Sequence, residues 1–232
     1  MSQSSNKFKI DPHIHTSEVS HCGHLPAEEI VRRYKALGYH GIVITDHLYK
    51  HFVENNDYGD DWDAYVAKFL EGYRKAKAAG DKCGLKVLLG AEIRFLLNDS
   101  DYLLYGIDEE FLRANPFIYK LDPREFYARF GDRVLIIQAH PYRNKNEILL
   151  DCIHGVEVFN GNPRHDSQNE TAAELCKKCP HLHAFSGSDT HEDGDEGSGW
   201  MVLDEVVEDS KGFRDVVVRR GYVCPVLNCE KA

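Results

Sequence analysis

Short apolar runs alternate with amphipathic stretches along most of the 232 residues. Runs at 8–15, 41–47, 87–95, 102–107, 133–140, 155–160 and 183–189 carry the apolar, β-branched and aromatic signature of strands. The second is wholly apolar until its last three residues, as in a parallel strand covered on both faces. Between the strands, 26–37 reads as a helix: a proline near its first position, Glu28 and Glu29 in the first turn, and a stripe of Ile30, Val31, Tyr34 and Leu37. Gly38 ends it. Residues 63–79, 122–130 and 167–179 are read as further helices, the last closed by Pro180, and the tail adds a strand at 200–203 and a helix at 212–220. Seven strands separated by helical connections imply parallel pairing, in a barrel or a doubly wound sheet. No repeat, low-complexity tract or linker divides the chain, so residues 1–232 are expected to form one domain.

Polar residues at the strand ends decide between the two architectures. In a barrel all the C-terminal strand ends share one rim, and functional groups collect there. Strand one ends in His13 and His15, which at i and i+2 face the same way. Strand two ends in Asp46-His47, strand three carries Glu92, strand five ends in His140, and strand seven runs into Asp189 and His191. Any strand end is polar, but metal-capable side chains on five of the seven point to a shared centre, because imidazole and carboxylate together suit divalent Zn, Mn or Fe. Asp11 and Asp46 should face away from the rim and act as structural acceptors. His40, His154, His181 and His183 lie before or inside strands and take a structural reading, and Glu157, in mid-strand, has no assigned role. The long polar and aromatic stretch 48–61 reads as a lid or binding loop.

Composition narrows the class. With 42% hydrophobic and 28% charged residues the chain is an ordinary soluble globular one. Its apolar runs are too short to span a bilayer, and the first residues lack a signal peptide's apolar stretch, so a cytoplasmic location is expected. Seven scattered cysteines fit reduced thiols better than a disulfide framework, and the C-x-x-C at Cys176 and Cys179 has no second pair. A net charge of −10 argues against nucleic-acid or membrane-surface partners. Bound dications would invert the local sign, so an anionic substrate stays open.

The motifs Asp11-x-His13-x-His15-Thr16, Ile44-Thr45-Asp46-His47, Gly90-x-Glu92, Ala139-His140-Pro141 and Ser188-Asp189-x-His191, in this order, resemble those of the PHP (polymerase and histidinol phosphatase) family of metal-dependent phosphoesterases. The resemblance covers nearly the whole chain. It implies a distorted, TIM-like (β/α)7 barrel with two or three divalent ions, commonly Zn, Mn or Fe, at the strand ends. It also implies that His13, His15, Glu92 and Asp189 hold the first metal, with Glu92 bridging to a second bound by His140. His47 and His191 would hold a third with one histidine of the loop after strand one. That loop offers two: counting forward from His13 favours His21, while counting back from Pro26 and the freedom of Gly23 favour His24, the expected ligand. Relatives place a further histidine on strand four, and 102–107 has none, which leaves the second metal short of a protein ligand.

The expected reaction is hydrolysis of a small phosphate ester, such as histidinol phosphate or a nucleotide, by metal-activated hydroxide. Glu92, Asp189 and His165 are the expected catalytic residues, His165 as proton donor to the leaving group or as a metal ligand. Arg143 and Arg164, on rim loops, would grip the phosphate. The rivals are a metal-dependent amidohydrolase, which would want a bridging lysine absent from these strand ends, and a non-catalytic metal-binding module. Oligomeric state leaves no trace in the sequence.

Overall fold

The computed structural model describes residues 7–51, 58 and 60–228. Two sheets enclose one interior. The first runs β11(Tyr222–Val223), β10(Met201–Leu203), β1(Phe8–Ile14), β2(Gly41–Ile44), β4(Lys86–Leu89); the second runs β3(His47–Leu48), β5(Ala91–Arg94), β6(Asp101–Tyr105), β7(Leu135–Gln138), β8(Gly155–Asn160), β9(His183–Gly187). Two of the chain's passes between the sheets are tight, at 45–46 and at Gly90, so the expected second and third strands are each broken into two. On the other side an isolated parallel bridge, Ile14 to Thr190, brings the sheets together. The α/β, TIM-like class expected from the sequence holds, with two sheets in place of one continuous ladder.

One part of the parallel expectation fails. Strand β6 runs antiparallel to both β5 and β7. Residues 95–100 join β5 to β6, far short of the dozen or more a parallel crossover needs, so the chain turns straight back. The start of β6, not its end, therefore reaches the rim.

The helices α1(Ala27–Ala36) and α2(Trp62–Cys83) cover the first sheet; α2 also packs beside α3(Glu109–Ala114) and α4(Pro123–Phe130) over the second, and α5(Asn169–Lys178) lies on β8. Their starts are fixed locally. Asp61, Asp108 and Asp122 accept backbone N–H groups of the first turns of α2, α3 and α4, while Glu18 reaches back to cap Ala27. Gly84, at φ +72°, ends α2. A sixth helix, α6(Ser210–Val218), closes the far end of the interior with Phe213, Val216 and Val217.

Strand β1 carries the device on which the site depends. Phe8 and Ile10 point into the interior. The register against β2 then shifts between Asp11 and Ile14, after which Ile14 packs outward under α1. A bulge re-aims side chains, and here it turns His13 and His15 inward. Among the described residues no helix is long and apolar enough to cross a membrane.

Candidate metal centre

His13 and His15 are fully buried, with their Nε2 atoms 3.0 Å apart. Asp189 Oδ1 lies 3.3 Å from the first and 3.4 Å from the second. Glu92 sits among four histidines: Oε1 is 3.1 Å from His140 Nε2 and 3.6 Å from His13 Nε2, while Oε2 is 2.8 Å from His47 Nδ1 and 3.4 Å from His15 Nε2. His191 completes the cluster, its ring centroid 4.2 Å from that of His15 and 5.9 Å from that of His47. Among the described residues three donor groups result: His13, His15 and Asp189; His15, His47 and His191; Glu92, Asp101 and His140.

Electrostatics at these positions run against burial. Burial alone would push the carboxyls of Glu92 and Asp189 up, but facing histidines outweigh it and hold both well below the usual carboxylate range. His13, desolvated yet ringed by Asp189, Glu157 and Glu92, is held well above 6.5. His15 is driven well below it, first by burial and then by His191 and His47. Two further observations fit cations at this point. His47 Nδ1 lies close to Glu92 but off the axis of a hydrogen bond, and His140 Nδ1 is likewise buried without a partner. Imidazole nitrogens and carboxylate oxygens offer lone pairs toward one another here, and divalent ions accept from such groups.

A surrounding shell orients these groups. Glu157 accepts from His13 Nδ1 at 2.9 Å and from the backbone N–H of His140 at 3.0 Å. Asp11 accepts from the Tyr34 hydroxyl (2.7 Å) and the Ser188 N–H (3.2 Å), and Asp46 from the Thr16 N–H, the Thr16 hydroxyl and the Ser20 hydroxyl, each at 2.7 Å. Burial pushes both carboxyls up to about 6 against those hydrogen bonds. A Cβ on Gly72 would lie 2.0 Å from Thr16 Oγ1, so only glycine lets α2 come this close. His140 and Asp189 take positive φ, 29° and 56°, a costly backbone for side-chain-bearing residues and one that recurs at functional sites.

The other expected residues divide. Arg143 reaches Asn160 Oδ1 (2.8 Å), Ser167 Oγ (3.0 Å) and Asp189 Oδ2 (3.1 Å). Arg164 forms a forked pair with Asp195, at 2.9 and 2.6 Å. Both arginines and His165 line a cavity of about 230 Å³ that opens over Glu92, His140 and Asp189. His165 is held below its ordinary value, first by desolvation and then by Arg143, so it is neutral at neutral pH. His24 is not brought to the centre. Its side chain is 66% exposed, its nearest acid is Glu192 at 3.8 Å, and His21 is exposed as well. The loop brings the sulfur of Cys22, also an exposed residue, to 3.1 Å from His47 Nε2. Burial pushes this thiol up, but His191 and His47 outweigh it and bring it down to about 6. In the 48–61 stretch, residues 52–57 and 59 lie outside the described residues; Tyr49 lines the cavity.

Three contributors escaped the sequence reading. Asp101 was invisible because a parallel β6 would have put it at the wrong end; its Oδ2 lies 3.9 Å from His140 Nε2, and Arg94 holds it from the side at 2.7 Å. The short link at 95–100 was the signal that could have found it. Glu157 faces inward by the plain alternation of β8, between Val156 and Val158, which pack on the opposite face with Cys176 and Leu182. Cys22 had no signal beyond its place in the loop.

The PHP domain profile matches residues 11–196. No curated protein matches the chain in sequence. Among solved structures, a two-domain protein from Bacteroides vulgatus containing a predicted PHP-like metal-dependent phosphoesterase superposes with a TM-score of 0.67 at 17% identity. The match covers 94% of this chain, which spans 64% of that longer one. PsfC from Pseudomonas syringae gives 0.66 at 15% identity, covering 91% and 88% of the two chains. An amidohydrolase from Chromobacterium violaceum, with bound sulfate and no metal, gives 0.54 at 16%, covering 93% and 98%. At these identities the likeness shows a shared fold.

Proposed function

The chain belongs to the PHP domain family, and from that premise we propose that it is a metal-dependent phosphoesterase acting on a small phosphate ester. The observation that carries the reading is the convergence of His13, His15, His47, Glu92, His140, Asp189 and His191 beneath a cavity that Arg143 and Arg164 also line. Two or three divalent ions (Zn, Mn or Fe) held there would supply Lewis-acid activation of water and neutralise phosphate charge. With Asp101 included the carboxylates number three, so two or three dications leave the rim positive and suited to an anion.

The chain's own groups then take definite parts. Glu92 and Asp189 hold their charge against burial and anchor the centre. Arg143, already fixed by Asn160 and Ser167, points its guanidinium along the cavity wall, where a phosphate oxygen can replace Asp189 as partner. Arg164, tied to Asp195, adds positive potential more than a free fork. His165, neutral, fits a proton acceptor or relay better than a ready acid. At about 230 Å³, the cavity bounded by described residues is smaller than pockets that swallow a whole drug-sized ligand. It takes a phosphate head and leaves most of the alcohol outside, which fits histidinol phosphate or a nucleotide alike. The proposed location is cytoplasmic.

Elemental analysis should find Zn, Mn or Fe, and hydrolysis of an aryl phosphate should require the ion and vanish in His13→Ala and Glu92→Ala. Asp101→Asn should weaken metal retention selectively. A panel of phosphate monoesters, diesters and amides then ranks the substrates. Hydrolysis of amides alone would replace this reading with the amidohydrolase one, and metal binding without any turnover would reduce the protein to a binding module.

A further inference from the structure

We infer that Cys22 is a thiolate ligand of the His15–His47–His191 group, which makes this end of the rim a sulfur-and-nitrogen site unlike the oxygen-rich end at Glu92, Asp101 and His140. The inference rests on the metal reading above and extends it to a residue type that neither the motifs nor the loop histidines supply.

The loop conformation is set by groups other than the cysteine. Asp46 pins Thr16 and Ser20, the Gly23 N–H reaches Ser20 O at 2.8 Å, and the His24 N–H reaches His191 O at 2.7 Å. A Cβ on Gly23 would lie 3.0 Å from the Thr16 carbonyl, so the turn is tight. With the backbone held at both 20 and 24, the sulfur of exposed Cys22 lies 3.1 Å from His47 Nε2, and the His24 ring is left in solvent. A single S–H donating to His47 is the plain structural alternative. It leaves the group behind it unexplained: fully buried His15 stacks against both neighbouring rings, with centroids 4.3 and 4.2 Å away, and the ring nitrogens of His15, His47 and His191 converge within 4.8 Å. The three converging imidazoles, with the thiol 3.1 Å from one of them, supply the donor types of a tetrahedral zinc-type site. Thiolate softness selects Zn or Co over Mn or Mg there, while the carboxylate end prefers harder ions.

Cobalt substitution tests this on the full chain with a readout separate from turnover. Cobalt-loaded protein should show a near-ultraviolet sulfur-to-cobalt charge-transfer band. Cys22→Ser should lose that band while keeping cobalt's visible ligand-field absorption, and His24→Ala should leave both unchanged. Bound cobalt without the band, a band that persists in Cys22→Ser, or one lost in His24→Ala overturns the assignment while leaving the metal centre standing. No cobalt uptake at all overturns the metal reading with it. Wild-type protein supplies an independent measurement. Iodoacetamide should label Cys22 after chelation and spare it after zinc loading, with exposed Cys83 labelled in both states as the reference. Equal labelling of Cys22 in both states overturns the proposal.

Discussion

The two ends of the barrel treat charge in opposite ways. At the far end, Lys211 pairs with Asp108 and Arg219 with Asp204, each at 2.6 Å, and all four side chains are at least 40% exposed. A cavity of about 330 Å³ lies there, lined in part by Gly106, Arg133 and Arg214. Its arginines are already committed: Arg214 donates to the Arg133 carbonyl, and Arg133 lies over the rings of Phe111 and Phe130. At the rim the cavity is smaller, but its histidines and carboxylates are buried and face one another with lone pairs left over. The size of a hollow therefore says little about chemistry. What marks the rim is a set of imidazoles and carboxylates facing one another, with two buried ring nitrogens left without a hydrogen bond.

That contrast can be broken by experiment. The largest effect is expected from Glu157→Gln, which keeps the shape but exchanges the acceptor on His13 Nδ1 for an amide. Metal affinity should fall about 10–100-fold with the far-ultraviolet circular dichroism unchanged, and a variant that retains its metal would show that His13 is oriented some other way. Next comes Gly187→Ala. Its new methyl would sit 2.6 Å from His13 Cβ and 2.8 Å from Glu157 Oε1, so denaturant unfolding should show a loss of about 1–3 kcal/mol, the usual cost of overpacking. An unchanged midpoint would mean that the floor of the site yields.

A smaller effect belongs to His183, buried at the far end, where desolvation brings it down to about 4. Unfolded histidine titrates near 6.5. Above that pH both states are neutral and the group adds no slope. As pH falls from 6.5 towards 4 the unfolded chain takes up its proton first, so stability declines through that window and levels off below it. His183→Phe should flatten that limb of the stability curve, and identical limbs would discount the burial. The smallest effect is expected from Lys211→Ala. Solvent screens the exposed pair, so melting temperature, metal content and activity should all stay put; a loss of metal would refute the separation of the two ends.

Much of the site was legible from residue order. His13, His15, His47, Glu92, His140, Asp189 and His191 stood at strand ends in the sequence and stand together in the fold. Their visibility has a local cause: an apolar run followed by a metal-capable residue names both a strand and its rim. Asp101 failed that test because it opens a strand rather than closing one. His24 lies on the exposed side of its loop, since residue counts fix how far a loop reaches and not which side chain it turns in.

The alternation of apolar strands and amphipathic helices, the covered parallel strands and the ligand types were decided by sequence, because each depends on neighbours a few positions apart. The bulge that turns His13 inward and the side chain that the loop after β1 presents to His47 were decided by tertiary structure. Each of these depends on backbone partners supplied by distant segments, and nothing in the local pattern encodes which partner is reached.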